Sequence, residues 1–228
     1  MIKAVIFDFD GTLSIRQEGA YGIYEDYFRR YFSDMDEIGF EAVLQDMMLY
    51  ECNGTISMKN RVANFRKKYG EYLPEGFEQE FLPYYYAHMY EYTVAREGMK
   101  EVLEQLKGKY KLGILSNGDS FSQHAKIRQI GVEEYFDAII VSDDYGIDKP
   151  DPEIFAKMCE LLDVKAEECV MIGDVFSSDI LGAVRCGMTP IWIRTDADRP
   201  AHFYQGYVIE RPEEIPGILE KIEKGETE

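Results

Sequence analysis

No run of roughly 20 apolar residues, the length a membrane-spanning helix needs, occurs in the 228-residue sequence. Basic blocks are missing too: 25 lysines and arginines face 43 aspartates and glutamates, a formal charge of −18. A nucleic-acid polymer is therefore an unsuitable partner, because binding its backbone depends on clustered cations. Small anions stay open, since a local site can oppose the global field. The four cysteines, Cys52, Cys159, Cys169 and Cys186, form no CxxC pair. That removes the usual zinc and disulfide frameworks and predicts reduced thiols in a cytoplasmic protein. The opening MIKAVIFDFDGT lacks the longer apolar stretch and cleavage site of a signal peptide. Histidine is scarce, and His88, His124 and His202 match no ligand spacing. The lone tryptophan, Trp192, reads as strand packing. No internal repeat or low-complexity segment is visible.

Short apolar runs bounded by turn residues are abundant: AVIF (4–7), KLGILS (111–116), DAIIVS (137–142), CVMIG (169–173), PIWIR (190–194) and YVI (207–209). They are continuous rather than alternating, as strands covered on both faces are. Helical periods lie between them. Met99, Val102, Leu103 and Leu106 fall at i, i+3, i+4 and i+7, and DPEIFAKMCELLD places Ile154, Met158, Leu161 and Leu162 on one stripe. Strand–helix–strand alternation predicts an α/β fold with a doubly wound, mostly parallel, Rossmannoid sheet. The terminal KIEKGETE reads as a frayed tail.

Residues 15–94 break this rhythm. Tyr24, Tyr27, Phe28, Tyr31 and Phe32 make one helical stripe, and Phe40, Val43, Leu44, Met47 and Met48 another. Met58, Val62, Phe65 and Tyr69 continue the pattern, followed by EFLPYYYAHMYEY. Four helices exceed the length of an ordinary crossover, so the expectation is an all-helical cap domain, 15–94, inserted into a core of 1–14 and 95–228. Tyrosine stripes at this spacing predict interhelical core with hydroxyls reaching the surface. Stacking on a substrate ring is the functional alternative, and an aromatic cap surface would also serve as a homodimer face.

In open parallel sheets ligands sit beyond the carboxyl ends of the strands. The first strand ends in Asp8 and Asp10, two residues apart and so on one side of an extended backbone. Two adjacent anions repel, so a cation or a proton must reconcile them. The second strand ends in Ser116, followed by Asn117 and Gly118. Lys149 follows the third, ahead of a Pro-Asp-Pro helix start, and the fourth ends in GDVFSSD, with Asp174 and Asp179. Hard carboxylate oxygens suit Mg²⁺, which also accepts substrate phosphate. Lys149, the Ser116 hydroxyl and nearby main-chain N–H groups can hold phosphate oxygens. Asp179 also suits the first turn of a helix through the dipole.

The motifs DFDGT, SNG, KPDP and GDVFSSD, in that order, resemble the haloacid dehalogenase-like hydrolase superfamily. The helical insertion after DFDGTLS is similar to that superfamily's first cap type, and the aromatic cap to its nucleotidase-like members. The resemblance implies a Mg²⁺-dependent phosphatase of small phosphomonoesters, nucleoside monophosphates or sugar phosphates. It implies Asp8 as a nucleophile forming an aspartyl-phosphate, and Asp10 as general acid and then base. It implies metal ligation by Asp8, the Asp10 main-chain carbonyl and Asp174, phosphate contacts from Ser116, Asn117 and Lys149, and Asp179 acting from behind the ligands. A phosphomutase would need the same acids. A dehalogenase has no use for the proton-shuttling Asp10, and a phosphonatase would add a cap lysine, for which Lys59, Lys67 and Lys68 are candidates by default. Phosphoryl-accepting receiver domains share the acids, hydroxyl and lysine, but they are about half as long and place the acceptor on a later strand.

Overall fold

The computed structural model describes residues 1–51, 56–195, 201–202 and 204–226. Residues 52–55 (CNGT), which include Cys52, lie outside the described residues. The chain divides into two compact units: Met1–Ile15 with Ala95–Glu228, and Arg16–Val94.

The first unit is built on six strands: β1 (Ala4–Phe7), β2 (Lys111–Ser116), β3 (Ala138–Val141), β4 (Cys169–Gly173), β5 (Thr189–Ile193) and β6 (Tyr207–Ile209). All adjacent pairs are parallel, in the order β3-β2-β1-β4-β5-β6. The chain winds outward from β1 to one edge, returns to β4, and winds outward to the other. The order therefore reverses beside β1, the place where such sheets open a crevice at their carboxyl ends.

Successive residues of a strand point to opposite faces, which explains the unbroken apolar runs. Val5, Phe7, Ile114 and Ile172 face one layer with Val102 and Leu103 of α5 (Met99–Leu106) and Ile215 and Leu219 of α10 (Ile215–Lys224). Ala4, Ile6, Leu115 and Met171 face the other, against Ile154, Phe155, Met158 and Leu162 of α8 (Pro152–Leu162) and Ala183 of α9 (Leu181–Cys186). One expected core residue is displaced. Leu161 is 54% exposed, and Phe155 is fully buried instead. The stripe of α8 is centred between Phe155 and Met158, which turns Leu161 past its edge. The tail also differs from expectation, since α10 continues to Lys224 before Gly225 ends it with a φ of 71°. Among the described residues Cys159, Cys169 and Cys186 are free thiols.

The second unit contains α1 (Arg16–Phe28), α2 (Glu37–Glu51), α3 (Met58–Tyr69) and α4 (Phe77–His88). Its core is aromatic. Phe28 stacks on Phe65 with centroids 4.5 Å apart, and Tyr27 packs against Phe81 at 4.8 Å and Tyr84 at 4.6 Å. Tyr31, Met48 and Tyr69 are only half-buried at the stripe edges. Several tyrosine hydroxyls reach peripheral carboxylates, as Tyr84 does to Asp26 at 3.0 Å. Among the described residues no helix is long and apolar enough to cross a membrane.

Candidate active site

β1 delivers Asp8 at its carboxyl end, where the Asp8 N–H donates to the Ile172 carbonyl at 2.8 Å. Immediately afterwards the chain curls, and the N–H groups of Leu13 and Ser14 both donate to the Phe9 carbonyl, at 2.9 and 3.0 Å. Gly11 permits the curl with a φ of 93°. A Cβ there would lie 2.2 Å from Asp174 Oδ2, so only glycine lets the loop pass the fourth strand's aspartate. Arg96 ties the curl down, donating to the carbonyls of Thr12 (3.0 Å) and Gly11.

Four strand ends meet here. The Lys149 ammonium, 4% exposed, lies 2.6 Å from Asp8 Oδ1 and 2.8 Å from Asp179 Oδ1. Asp8, Asp174 and Asp179 each offer a carboxylate oxygen, all within 4.8 Å of one another. Asp174 accepts from Thr12 Oγ1 at 3.3 Å, and its carbonyl accepts from Trp192 Nε1 at 3.0 Å. Trp192 thus does more than pack its strand. Asp179 sits in a single π-helical turn, Phe176–Ile180. Its oxygens accept from Val175 N–H at 2.9 Å and from Ser178 Oγ at 3.2 Å, besides Lys149.

Charge in this cluster is poorly balanced. Burial raises the Asp8 carboxyl to about 7; Lys149 opposes that, while Asp179 and Asp10 add to it. Burial likewise raises Asp174 well above the ordinary carboxylate range, with further repulsion from Asp8 and Asp179. Burial pulls Lys149 down, but Asp179 and Asp8 more than reverse it and hold the ammonium charged. One lysine among three buried carboxylates leaves a deficit that a hard divalent cation would make good, and the all-oxygen donor set suits such an ion. The oxygens of Asp179 are committed to N–H and O–H donors, so Asp8 and Asp174 are the better-placed ligands.

Asn117 follows β2 and uses both ends of its amide on the main chain of Lys149: Oδ1 accepts at 2.8 Å and Nδ2 donates at 3.0 Å. Its side chain thereby positions the lysine. Gly118 N–H is held by Ser142 Oγ at 3.1 Å. Asp10, half-buried beside this cluster, is bonded by two residues that sequence reasoning passed over, Gln123 and Lys126 of α6 (Ser120–Gln129). The buried face of α6 carries Ser122, Gln123 and Lys126 where apolar residues would be expected. Arg96 and Thr12 likewise act through contacts across 84 and 162 positions of sequence.

These motifs and this geometry have a counterpart among known proteins. Residues 2–187 match the family model of haloacid dehalogenase-like hydrolases, and the chain belongs to that family. Hydrolases of this family generally use a metal ion. A glyceraldehyde 3-phosphate phosphatase of Pyrococcus furiosus is 28% identical over 98% of this chain and 94% of its own length. An N-acylneuraminate-9-phosphatase of Rattus norvegicus is 32% identical over 58% of this chain and 55% of its own. The HAD-hydrolase YfnB of Bacillus subtilis, solved bound to magnesium, is 25% identical with a TM-score of 0.75, covering 96% of this chain and 98% of that one.

Proposed function

We propose that this chain is a Mg²⁺-dependent phosphatase of small phosphomonoesters that works through an aspartyl-phosphate. The single observation that carries the reading is the buried Asp8, paired with Lys149 at 2.6 Å and facing Asp174 at the rim of a parallel sheet. Asp8 and Asp174, with the Asp10 main-chain carbonyl, are the residues that would hold Mg²⁺. Bound there, the ion would neutralise the acids and polarise the phosphoryl group.

An Asp8 oxygen bonds to phosphorus as the bond from phosphorus to the substrate's bridging oxygen breaks. The Asp10 carboxyl gives its proton to that departing oxygen. Asp10, now a carboxylate, takes a proton from water as the water oxygen bonds to phosphorus and the bond to Asp8 breaks. Inorganic phosphate leaves, and both aspartates return to their starting states. One acid serving two steps is what makes the covalent route economical. Lys149 orients Asp8 and meets the phosphoryl oxygens, with the Ser116 hydroxyl and the main-chain N–H groups beyond it. Asp179 keeps Lys149 in place.

The names of the similar phosphatases favour a phosphorylated aldehyde or sugar acid ahead of a nucleoside monophosphate. A panel of all three classes, with Mg²⁺ and with EDTA, tests the reading. Metal-dependent phosphate release from at least one class is expected. Release from none, or equal release in EDTA, overturns it.

A further inference from the structure

Helix α6 buries two polar side chains on one face. Gln123 is 2% exposed and Lys126 is 4% exposed, and at i, i+3 they are neighbours on the helix surface. Lys126 Nζ lies 3.2 and 3.0 Å from the two carboxylate oxygens of Asp10. Gln123 Nε2 lies 3.0 Å from Asp10 Oδ2, 2.6 Å from Ser116 Oγ and 3.3 Å from the Asn117 carbonyl. The direction of the amide is settled by chemistry. A carboxylate and a carbonyl only accept, so the nitrogen must face them. Ser116 then accepts from the amide with its oxygen, and its hydroxyl hydrogen has only a long contact with the Asn117 carbonyl, at 3.5 Å.

A buried ammonium needs a partner, and a simple ion pair would meet that need. This arrangement does more: it grips both oxygens of one carboxylate and links one of them, through a single amide, to the hydroxyl of the next strand. We propose that Gln123 and Lys126 are positioning residues that lock Asp10 and Ser116 into one rigid unit. Lys126 sets the place and rotation of the acid–base carboxylate. Gln123 sets its distance from Ser116 and holds the serine oxygen in place. Both act through the side chains of Asp10 and Ser116. The inference rests on the phosphatase reading of the same site.

The test compares the wild type with Lys126→Met, Lys126→Arg and Gln123→Leu, each also combined with Asp10→Asn. Two substrates are used, an alkyl phosphomonoester and p-nitrophenyl phosphate, whose phenolate departs without needing a proton. In Lys126→Met, kcat for the alkyl ester falls by about 10²-fold while KM changes little. Single-turnover release of p-nitrophenol falls far less. Lys126→Arg restores part of the loss, and Gln123→Leu both raises KM and lowers kcat, because it loosens Ser116. In the Asp10→Asn background Lys126→Met costs little more, since the group it positions is already disabled. Thermal melts confirm folding, and Gln123→Leu and Lys126→Arg carry the test should Lys126→Met not fold. Equal losses on the two substrates, full additivity with Asp10→Asn, or wild-type kinetics in Gln123→Leu overturn the inference alone. A wild type that releases phosphate from no ester overturns the phosphatase reading and this inference with it.

Discussion

Each compact unit buries a charge cluster, and the two are built on opposite terms. In the helical unit Glu51, 1% exposed, accepts from Arg16 Nη2 at 2.7 Å and Arg61 Nη1 at 3.0 Å. Burial would lower the Arg61 guanidinium, but Glu51 and the neighbouring tyrosines hold it above its ordinary range. In the α/β unit three carboxylates crowd one ammonium, and both Asp8 and Asp174 are pushed up. The first cluster is at ease with its charges and joins α1, α2 and α3. The second is strained by them, and that strain marks a site shaped for a cation and an anionic group that the chain itself does not supply.

The sharpest way to break the comparison is to neutralise one acid in each cluster. Asp8→Asn should cut phosphate release by at least about 10⁴-fold, while metal-free melts show a fold as stable as the wild type or more so. Glu51→Ala should do the reverse. It leaves two guanidiniums facing a vacated buried partner, and urea melts should show a loss of about 3–5 kcal/mol. A destabilised Asp8→Asn, or a Glu51→Ala variant as stable as the wild type, would erase the distinction.

A smaller effect concerns pH. The Asp8 carboxyl is raised from 3.8 to about 7 in the folded chain. Below about pH 4 it is protonated folded or unfolded. As pH rises from there to about 7 the unfolded chain gives up the proton and the folded chain keeps it, so stability falls across this window and levels off above it. Melts in EDTA from pH 5 to 8 should therefore show the wild type losing stability relative to Asp8→Asn. Adding Mg²⁺ should recover most of it at the upper end. A difference between the two proteins that does not vary with pH would remove the physical basis for the cation. The smallest effect is expected at the edge of α8. Leu161→Glu should change stability by no more than about 0.5 kcal/mol, whereas Phe155→Ala, on the buried side of the same helix, should cost about 3–5 kcal/mol.

Much of the α/β unit was legible beforehand. Runs such as AVIF and CVMIG carry their burial in every residue, so β1 and β4 are found at the expected positions. The DFD, SNG, KPDP and GDVFSSD motifs are short and sit at strand ends, where a parallel sheet must bring them to one rim. Partners held by long-range contact were not legible. Nothing in SFSQHAKIRQ says that Gln123 and Lys126 turn toward Asp10, because their partner lies more than a hundred residues earlier. Leu161 was misplaced because apolar periodicity gives the width of a stripe less well than its existence. Nothing in the sequence singles out Arg61 or Glu51, and only packing shows that both are buried.

By itself the sequence determined the alternation of strands and helices, the doubly wound parallel sheet they form, and the four acids and one lysine brought to its rim. These follow from local periodicity and chain connectivity, which act within a few residues or by topology alone. Tertiary structure decided which charges are satisfied and which are not: Asp179 held by Lys149 and N–H donors, Asp8 and Asp174 left in excess, Asp10 gripped from α6. Whether a buried charge is comfortable depends on how many donors surround it within about 3 Å, and only the folded chain sets that number.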